Sequence, residues 1–300
     1  MHLDGAHQLI LQTKKWKTKY SNKALGLHRI YFYLRTIYQS TALTREKPCS
    51  RIWRSDAFTD CSLSSIDRET GSPCPSSTLF SMHPSTDVCT HALLYGVPYD
   101  LLILLNKTVD LVNSVIEERA RTSSRALSAQ LATLCNQHEE ALMAWEPENI
   151  PQVVTPDSPS AETNATIITL MTRAFHQAVV IYFAQHVRLF AHYYMQPYIH
   201  KVIDSIEAIE RIKAETEVLA APLYWPAFIA ASEAFDPDLQ DRFRKWYEQV
   251  EAYGIGIGRT GFGVLSEVWE RGPCRGETLT SIWRLVVQDH GTVLLLSWFG

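Results

Sequence analysis

Apolar residues in this chain recur at the three- and four-residue spacing of buried helix faces. Behind Pro98, Leu101, Leu102, Leu105, Val109, Val112, Val115 and Ile116 predict a long amphipathic helix that closes in the charged run Glu117-Glu118-Arg119. Ser123 or Ser124 is placed to cap the next helix, whose stripe is Leu127, Leu131, Leu134, His138 and Leu142. The most hydrophobic helix comes next, around Ile167 to Phe190, and Ile199, Val202, Ile203, Ile206, Ile209 and Ile212 mark another. Pro222 to Arg271 reads as three helices. Pro222 and Pro226 fit only near a helix start, and Phe228, Ile229 and Ala231 carry that helix on to Phe235. Asp236-Pro237 supplies an N-cap and a first-turn proline. The helix it opens puts Leu239, Phe243, Trp246, Tyr247, Val250 and Tyr253 on one face, with Asp238, Asp241, Arg242, Arg244, Lys245 and Glu248 largely opposite. After a glycine-rich break, Val264, Val268 and Trp269 begin the third. At the N-terminus, Asp4 caps a helix to about Lys19, and Leu25 to Leu43 form a second. No alternating run exceeds four residues. The expected fold class is all-α, built from packed amphipathic helices.

The pattern collapses once. Residues 44–91 are clusters of Ser, Thr, Pro, Cys and Asp, as in SPCPSSTLFSMHPSTD, and predict an irregular or disordered insert. Pro147, Pro151, Pro156 and Pro159 make residues 146–162 a non-helical, proline-rich loop. The chain therefore divides into N-terminal helices (1–43), the insert (44–91) and a main helical domain (92–300), with the proline-rich loop internal to that domain.

Charge and composition narrow the classes. The apolar fraction of 46% and charged fraction of 20% are those of an ordinary globular protein. A net charge of −4 argues against wholesale binding to nucleic acid or an anionic membrane. The basic run Lys14, Lys15, Lys17, Lys19, Lys23, Arg29, Arg35, Arg45, Lys47, Arg51 and Arg54 is opposed only by Glu46, and reads as the solvent face of two helices rather than a nucleic-acid footprint. Leu9-Ile10-Leu11 is too short for a secretory h-region. Arg173, His176, Gln177, Gln185, His186 and Arg188 interrupt the most apolar helix, so it is expected in a soluble core and not across a membrane.

Candidate chemistry is sparse. Cys49, Cys61, Cys74, Cys89, Cys135 and Cys274 are too widely spaced for the paired C-x2-C ligands of a zinc cluster, and read as reduced thiols. Gly256, Gly258 and Gly261 match the dinucleotide fingerprint in letters, but a helix stands where its strand is required. His176, His186, His192 and His200 do not share a helix face, and the i, i+4 pair of zinc enzymes is missing. His138, beside Glu139 and Glu140, falls on an apolar stripe and reads as a satisfied core histidine. Trp225, Trp246, Trp269 and Trp283 read as core first and as the lining of a small-molecule cavity second. No catalytic, cofactor-binding or metal-binding residue is expected, and no enzymatic activity.

One stretch carries a resemblance. Leu223-Tyr224-Trp225-Pro226, then Phe228-Ile229-Ala230 and Glu233-Ala234, resemble the L-x-W-P-x-F-I-A…E-A segment of the fungal-specific transcription-factor domain, found in zinc-cluster regulators of the arginine-metabolism-regulator type. Phe243, Trp246, the glycine break after Tyr253, Val268-Trp269 and Trp283 resemble the family's more C-terminal segments. His2-Leu3-Asp4-Gly5-Ala6, Gly96-Val97-Pro98 and Ala178 to Phe183 echo it upstream, in family order. The resemblance implies a nuclear protein whose helical regulatory domain modulates RNA polymerase II transcription. Implied partners are transcriptional co-regulators, a second regulator subunit or a small-molecule effector. DNA would be reached only through a domain absent here, and zinc belongs only to an upstream six-cysteine cluster this chain lacks. The rival reading is a stand-alone helical protein-interaction module with no DNA-binding partner domain.

Overall fold

The two strongest apolar stripes become the centre of the fold. The computed structural model describes residues 2–14, 22–42, 97–146, 161–216, 218–253, 257–273, 280–291, 294 and 296, and among them ten α-helices and no strand. In order they are α1 (His2–Lys14), α2 (Asn22–Thr41), α3 (Tyr99–Thr122), α4 (Ala129–Met143), α5 (Ala161–Phe183), α6 (His192–Thr216), α7 (Tyr224–Ala231), α8 (Pro237–Glu251), α9 (Ile257–Arg271) and α10 (Ile282–His290). The chain is all-α, as the periodicity predicts.

α5 and α6 share the most extensive interhelical contact, and the short α7 packs on both. All eight residues of α7 are buried. Such a helix needs partners on every side, and α5, α6, α8 and α9 supply them. Pro226 sits in its first turn, where the missing N–H would have had no intrahelical partner. α3 lies against α2 and α5, α4 covers α3 and α5, and α10 packs on α9. One apolar cluster runs from Phe32 to Leu296, so α2 to α10 share a single core. Trp225, Trp246 and Trp283 lie inside it. Glu162–Arg188 is long and apolar enough to cross a membrane by length and composition, but 72% of its most apolar window is buried inside the fold.

Several local expectations shift. Asp4 lies inside α1, which begins at His2, so it is not an N-cap. Neither Ser123 nor Ser124 starts α4. Ser123 ends α3 in the left-handed region (φ 50°), and Ser128 takes the N-cap position of α4. The reason is Glu118, whose carboxylate accepts from Ser128 N at 2.5 Å and from its hydroxyl at 3.1 Å. Leu131, Cys135 and Leu142 face the core while Leu134, expected on the same stripe, is 49% exposed. α7 stops at Ala231 rather than reaching Phe235. Tyr253 lies past the end of α8 and donates to the Glu210 carboxylate at 2.9 Å. Arg29 is only half exposed, its guanidinium 5.0 Å from the centre of the Tyr99 ring, and Arg35 is buried, so these two do not form a basic solvent face. The 44–91 insert and residues 147–160 of the proline-rich loop lie outside the described residues; α5 already contains Ala161 and Glu162.

The glycine-rich break is also shorter than expected, because α9 starts at Ile257 and takes Gly258, Gly261 and Gly263 into the helix. A Cβ at Gly261 would touch Leu296 Cδ2 at 3.4 Å and Phe228 Cδ2 at 3.7 Å, whereas one at Gly263 would meet nothing within 4 Å. Glycine inside a helix costs up to about 1 kcal/mol relative to alanine. Gly263→Ala should therefore raise stability by about 0.5–1 kcal/mol in urea titration.

Candidate functional site

The polar interruptions of α5 converge on one place. α5 runs straight to Phe183 and then widens into a π turn, Ala184–Arg188, which Leu189 closes in the left-handed region (φ 53°). π turns and bulky left-handed residues store strain and gather at functional sites. The widened turn leaves carbonyls without helical partners, and Arg119 of α3 takes them. Its buried guanidinium donates to His186 O at 2.6 Å and to Val187 O at 2.7 Å.

His186 is the hub beneath that turn. Its Nδ1 lies 2.8 Å from Tyr182 O, a carbonyl that only accepts, so Nδ1 carries the proton. Nε2 is then an acceptor, and two donors meet it: Arg284 Nε at 2.9 Å and Ser281 Oγ at 3.0 Å. Arg284 Nη2 continues to Ser40 O at 3.0 Å and Tyr182 Oη at 3.1 Å, and the Tyr182 hydroxyl donates to Ser40 O at 3.0 Å. Trp225 Nε1 donates to Ser40 Oγ at 2.8 Å. These bonds tie α2, α5, α7 and α10 together inside the core. Burial first, then the Arg284 charge, holds the His186 imidazole well below its ordinary range, against the Tyr182 carbonyl bond that raises it. Burial also pushes the Tyr182 phenol up. At neutral pH the hub is a neutral imidazole bonded to a cation, with no carboxylate among the groups that bond it.

A cavity of about 240 Å³ opens beside this junction. Gln185 of the π turn, Phe190, His192, Glu233, Phe235 and Ser281 are among the residues that line it, and Ser281 also bonds His186. Gln185 is only 4% exposed, and neither its amide nitrogen nor its amide oxygen has a hydrogen-bond partner. The Glu233 side chain keeps some solvent contact through the cavity, yet protein surrounds it closely, and burial raises its carboxyl to about 8. Between its usual value and about 8 the folded chain holds a proton that the unfolded chain has released, so this group subtracts stability as pH rises through that window. Glu233→Gln should leave the melting temperature nearly unchanged at pH 5. At pH 8 it should raise stability by about 1–3 kcal/mol, discounted for the residual solvent contact.

The other candidates are scattered. His176 Nε2 pairs with Leu142 O at 2.9 Å, His192 packs on Phe235, and His200 is exposed. Among the described residues no three His, Cys, Asp or Glu side chains gather in a metal-holding group. His138 pairs with Thr108 Oγ1 at 2.7 Å and packs on Phe183. Glu139 is ion-paired to Arg188. Cys135 is a buried free thiol, and the other five cysteines fall outside the described residues. Gly258 and Gly261 lie in a helix that comes after a helix, without the strand-to-turn geometry of a dinucleotide site. None of the four tryptophans lines the cavity; Trp225, Trp246 and Trp283 are core residues. The residues that do form the site, Gln185, Glu233, Ser281 and Arg284, are not foreseen as such. Their one signal is the cluster of polar residues that breaks the otherwise apolar α5.

The fungal specific transcription factor domain family matches residues 1–297. The chain is similar to the arginine metabolism regulation protein II of Saccharomyces cerevisiae, 26% identical over 205 residues, which is 68% of this chain and 23% of that relative. The aligned region thus spans under a quarter of the relative's length. No solved structure matches.

Proposed function

Because the chain belongs to the fungal-specific transcription factor domain family, a family of transcription regulators rather than enzymes, we propose that it is the regulatory part of a nuclear regulator that modulates transcription by RNA polymerase II. DNA reading is assigned to a domain outside this chain or to a second regulator subunit. The observation that carries the reading is the family match over residues 1–297. Supporting it are the net charge of −4 and the absence of paired cysteine spacing in the sequence, neither of which suits a DNA reader. Modulation requires two packings of the helices whose balance an effector or a co-regulator shifts by binding one of them better. The His186–Arg284 junction suits that role, since four helices meet in one hydrogen-bonded knot and a change there moves them together.

DNA titration of the purified chain tests the assignment of DNA reading. The expected binding is weak, indifferent to sequence and steeply reduced by salt. Sequence-specific binding that survives about 200 mM salt would overturn it.

A further inference from the structure

We infer that the outer face of the α5–α6 corner, from Arg125 past Phe190, Tyr193 and Tyr194 to Lys201, docks a short acidic segment of a partner protein that carries an aromatic or leucine side chain. That this partner serves transcription rests on the regulatory reading above; the docking itself does not.

The aromatic rings carry the inference. Phe190, Tyr193 and Tyr194 are 48, 57 and 60% exposed. They form one platform, with Phe190 5.8 Å and Tyr193 4.2 Å from Tyr194, centre to centre. Pro197 and Tyr198 follow three and four residues after Tyr194, on the same side of α6. Lys201 ends the ridge, its ammonium 5.7 Å from the centre of the Tyr198 ring. Exposed apolar residues scattered singly are ordinary, but a contiguous group marks an interaction site. Tyrosine also offers a partner a broad, stiff surface at small entropic cost. The stretch of α6 from Tyr194 to Lys201 covers about 10 Å, and with Phe190 the ridge matches about five residues of extended chain. Phe190 belongs to the cavity lining as well, together with the apolar Phe235, Pro273 and Ile282. At about 240 Å³ the cavity is smaller than the roughly 300–1,000 Å³ of sites for drug-sized molecules, and suits one anchoring side chain.

Charge chooses the sign of the partner. The chain has 32 acidic residues, yet none lies between Glu162 and Asp204, where Arg173, Arg188 and Lys201 all fall. Arg188 is taken by Glu139, and the next carboxylates on α6, Asp204 and Glu207, are held by Arg242. Among the described residues no carboxylate pairs with the exposed Lys201. At the other end of the ridge Arg125 is exposed and lines the cavity beside Phe190. Glu233 is the carboxyl on that lining, and burial, which raises it to about 8, keeps it protonated at neutral pH. The face thus presents cations at both ends and rings between them. A basic segment would be repelled, and an uncharged one would leave both cations without a counter-charge. A second copy of this chain would bring the same surface in a two-fold pairing, cation against cation. Acidic segments with interspersed apolar residues cannot bury a core of their own and order on a partner, which makes them the complement of this face.

Fluorescence anisotropy of a labelled peptide of about ten residues, aspartate alternating with leucine and phenylalanine, titrated with the folded chain, tests the surface. Saturable binding is expected at about 50 mM salt, weakening severalfold by about 300 mM. Tyr194→Ser alters a side chain already largely in water, so it should leave the melting temperature nearly unchanged and weaken binding about tenfold. Lys201→Glu should weaken it about three- to tenfold at low salt and less at high salt. A failure of the acidic peptide to bind saturably would overturn the inference. Equal affinity for the same peptide with lysine or serine in place of aspartate would do so too. A sedimentation dimer that Tyr194→Ser dissolves would give the face to a second copy instead. Peptide binding that Tyr194→Ser abolishes without changing output from a reporter-tethered fusion supports the docking surface and counts only against the regulatory reading.

Discussion

Replacing Arg284 by alanine is expected to cost the fold about 3–5 kcal/mol, from the loss of hydrogen bonds made by a charged donor, at about 1.5–3 kcal/mol each, and of a buried side chain's packing. Arg284 is 5% exposed and donates to His186 Nε2, Ser40 O and Tyr182 Oη. Alanine takes one donor from each of those acceptors, so that His186 Nε2 keeps only Ser281 and Ser40 O only Tyr182, and it leaves a void where the guanidinium lay. Arg284→Lys keeps the charge but not the planar fork that bridges His186 and Ser40, so it should recover only part of the loss. Urea unfolding of the three proteins measures this. A loss under about 1 kcal/mol for alanine would mean that the junction is not holding the helices together.

The second large effect is an acid weakness centred on His186. An imidazole held well below its ordinary value when folded regains that value, about 6.5, when unfolded. Above about 6.5 both states are neutral and the junction's stability is complete. As pH falls below it, the unfolded chain takes up a proton that the folded chain refuses, and stability drops by about 1.4 kcal/mol per pH unit until the depressed folded value is reached. Burial lowers His138 and His176 as well, and they act with the same sign. Two carboxyls oppose them: Glu233, raised to about 8, and Asp110, raised to about 6, both gain stability as pH falls. The diagnostic quantity is therefore a difference. His186→Gln should be less stable than wild type at pH 7, and the gap should narrow by about 1 kcal/mol between about pH 6.5 and 5.5. A gap independent of pH would show that the folded chain takes up the proton as readily as the unfolded chain, against the depressed imidazole that the junction implies.

Much of the fold is legible in the sequence because burial tracks helical periodicity. The Ile199–Ile209 stripe buries as expected, and Asp236 accepts from Asp238 N at 2.9 Å and Leu239 N at 3.3 Å, the capping its Asp-Pro pair predicts. Where expectation and structure part, a contact distant in sequence decides the outcome. Glu118 reaches ten positions along to hold Ser128, and that moves the start of α4 past Ser123. The junction itself is invisible to periodicity: Trp225 finds Ser40 185 residues away and Arg284 finds the Ser40 carbonyl 244 away. Periodicity names the buried face and not the partner across it. The π turn has no sequence signal of its own, so Gln185 reads as a polar blemish on an apolar helix until Arg119 and the cavity stand on either side of it. The family motif contains Glu233 without saying what it does.

The central claim, that this chain modulates transcription, is tested most directly by fusing it to an unrelated DNA-binding domain and measuring output from a reporter that carries the matching site. The fusion is expected to change transcription relative to the DNA-binding domain alone. Arg284→Ala, by loosening the helical junction, should abolish or alter that change while the fusion still occupies its site. Output indistinguishable from the bare DNA-binding domain, with the fusion folded, nuclear and bound, would contradict the claim.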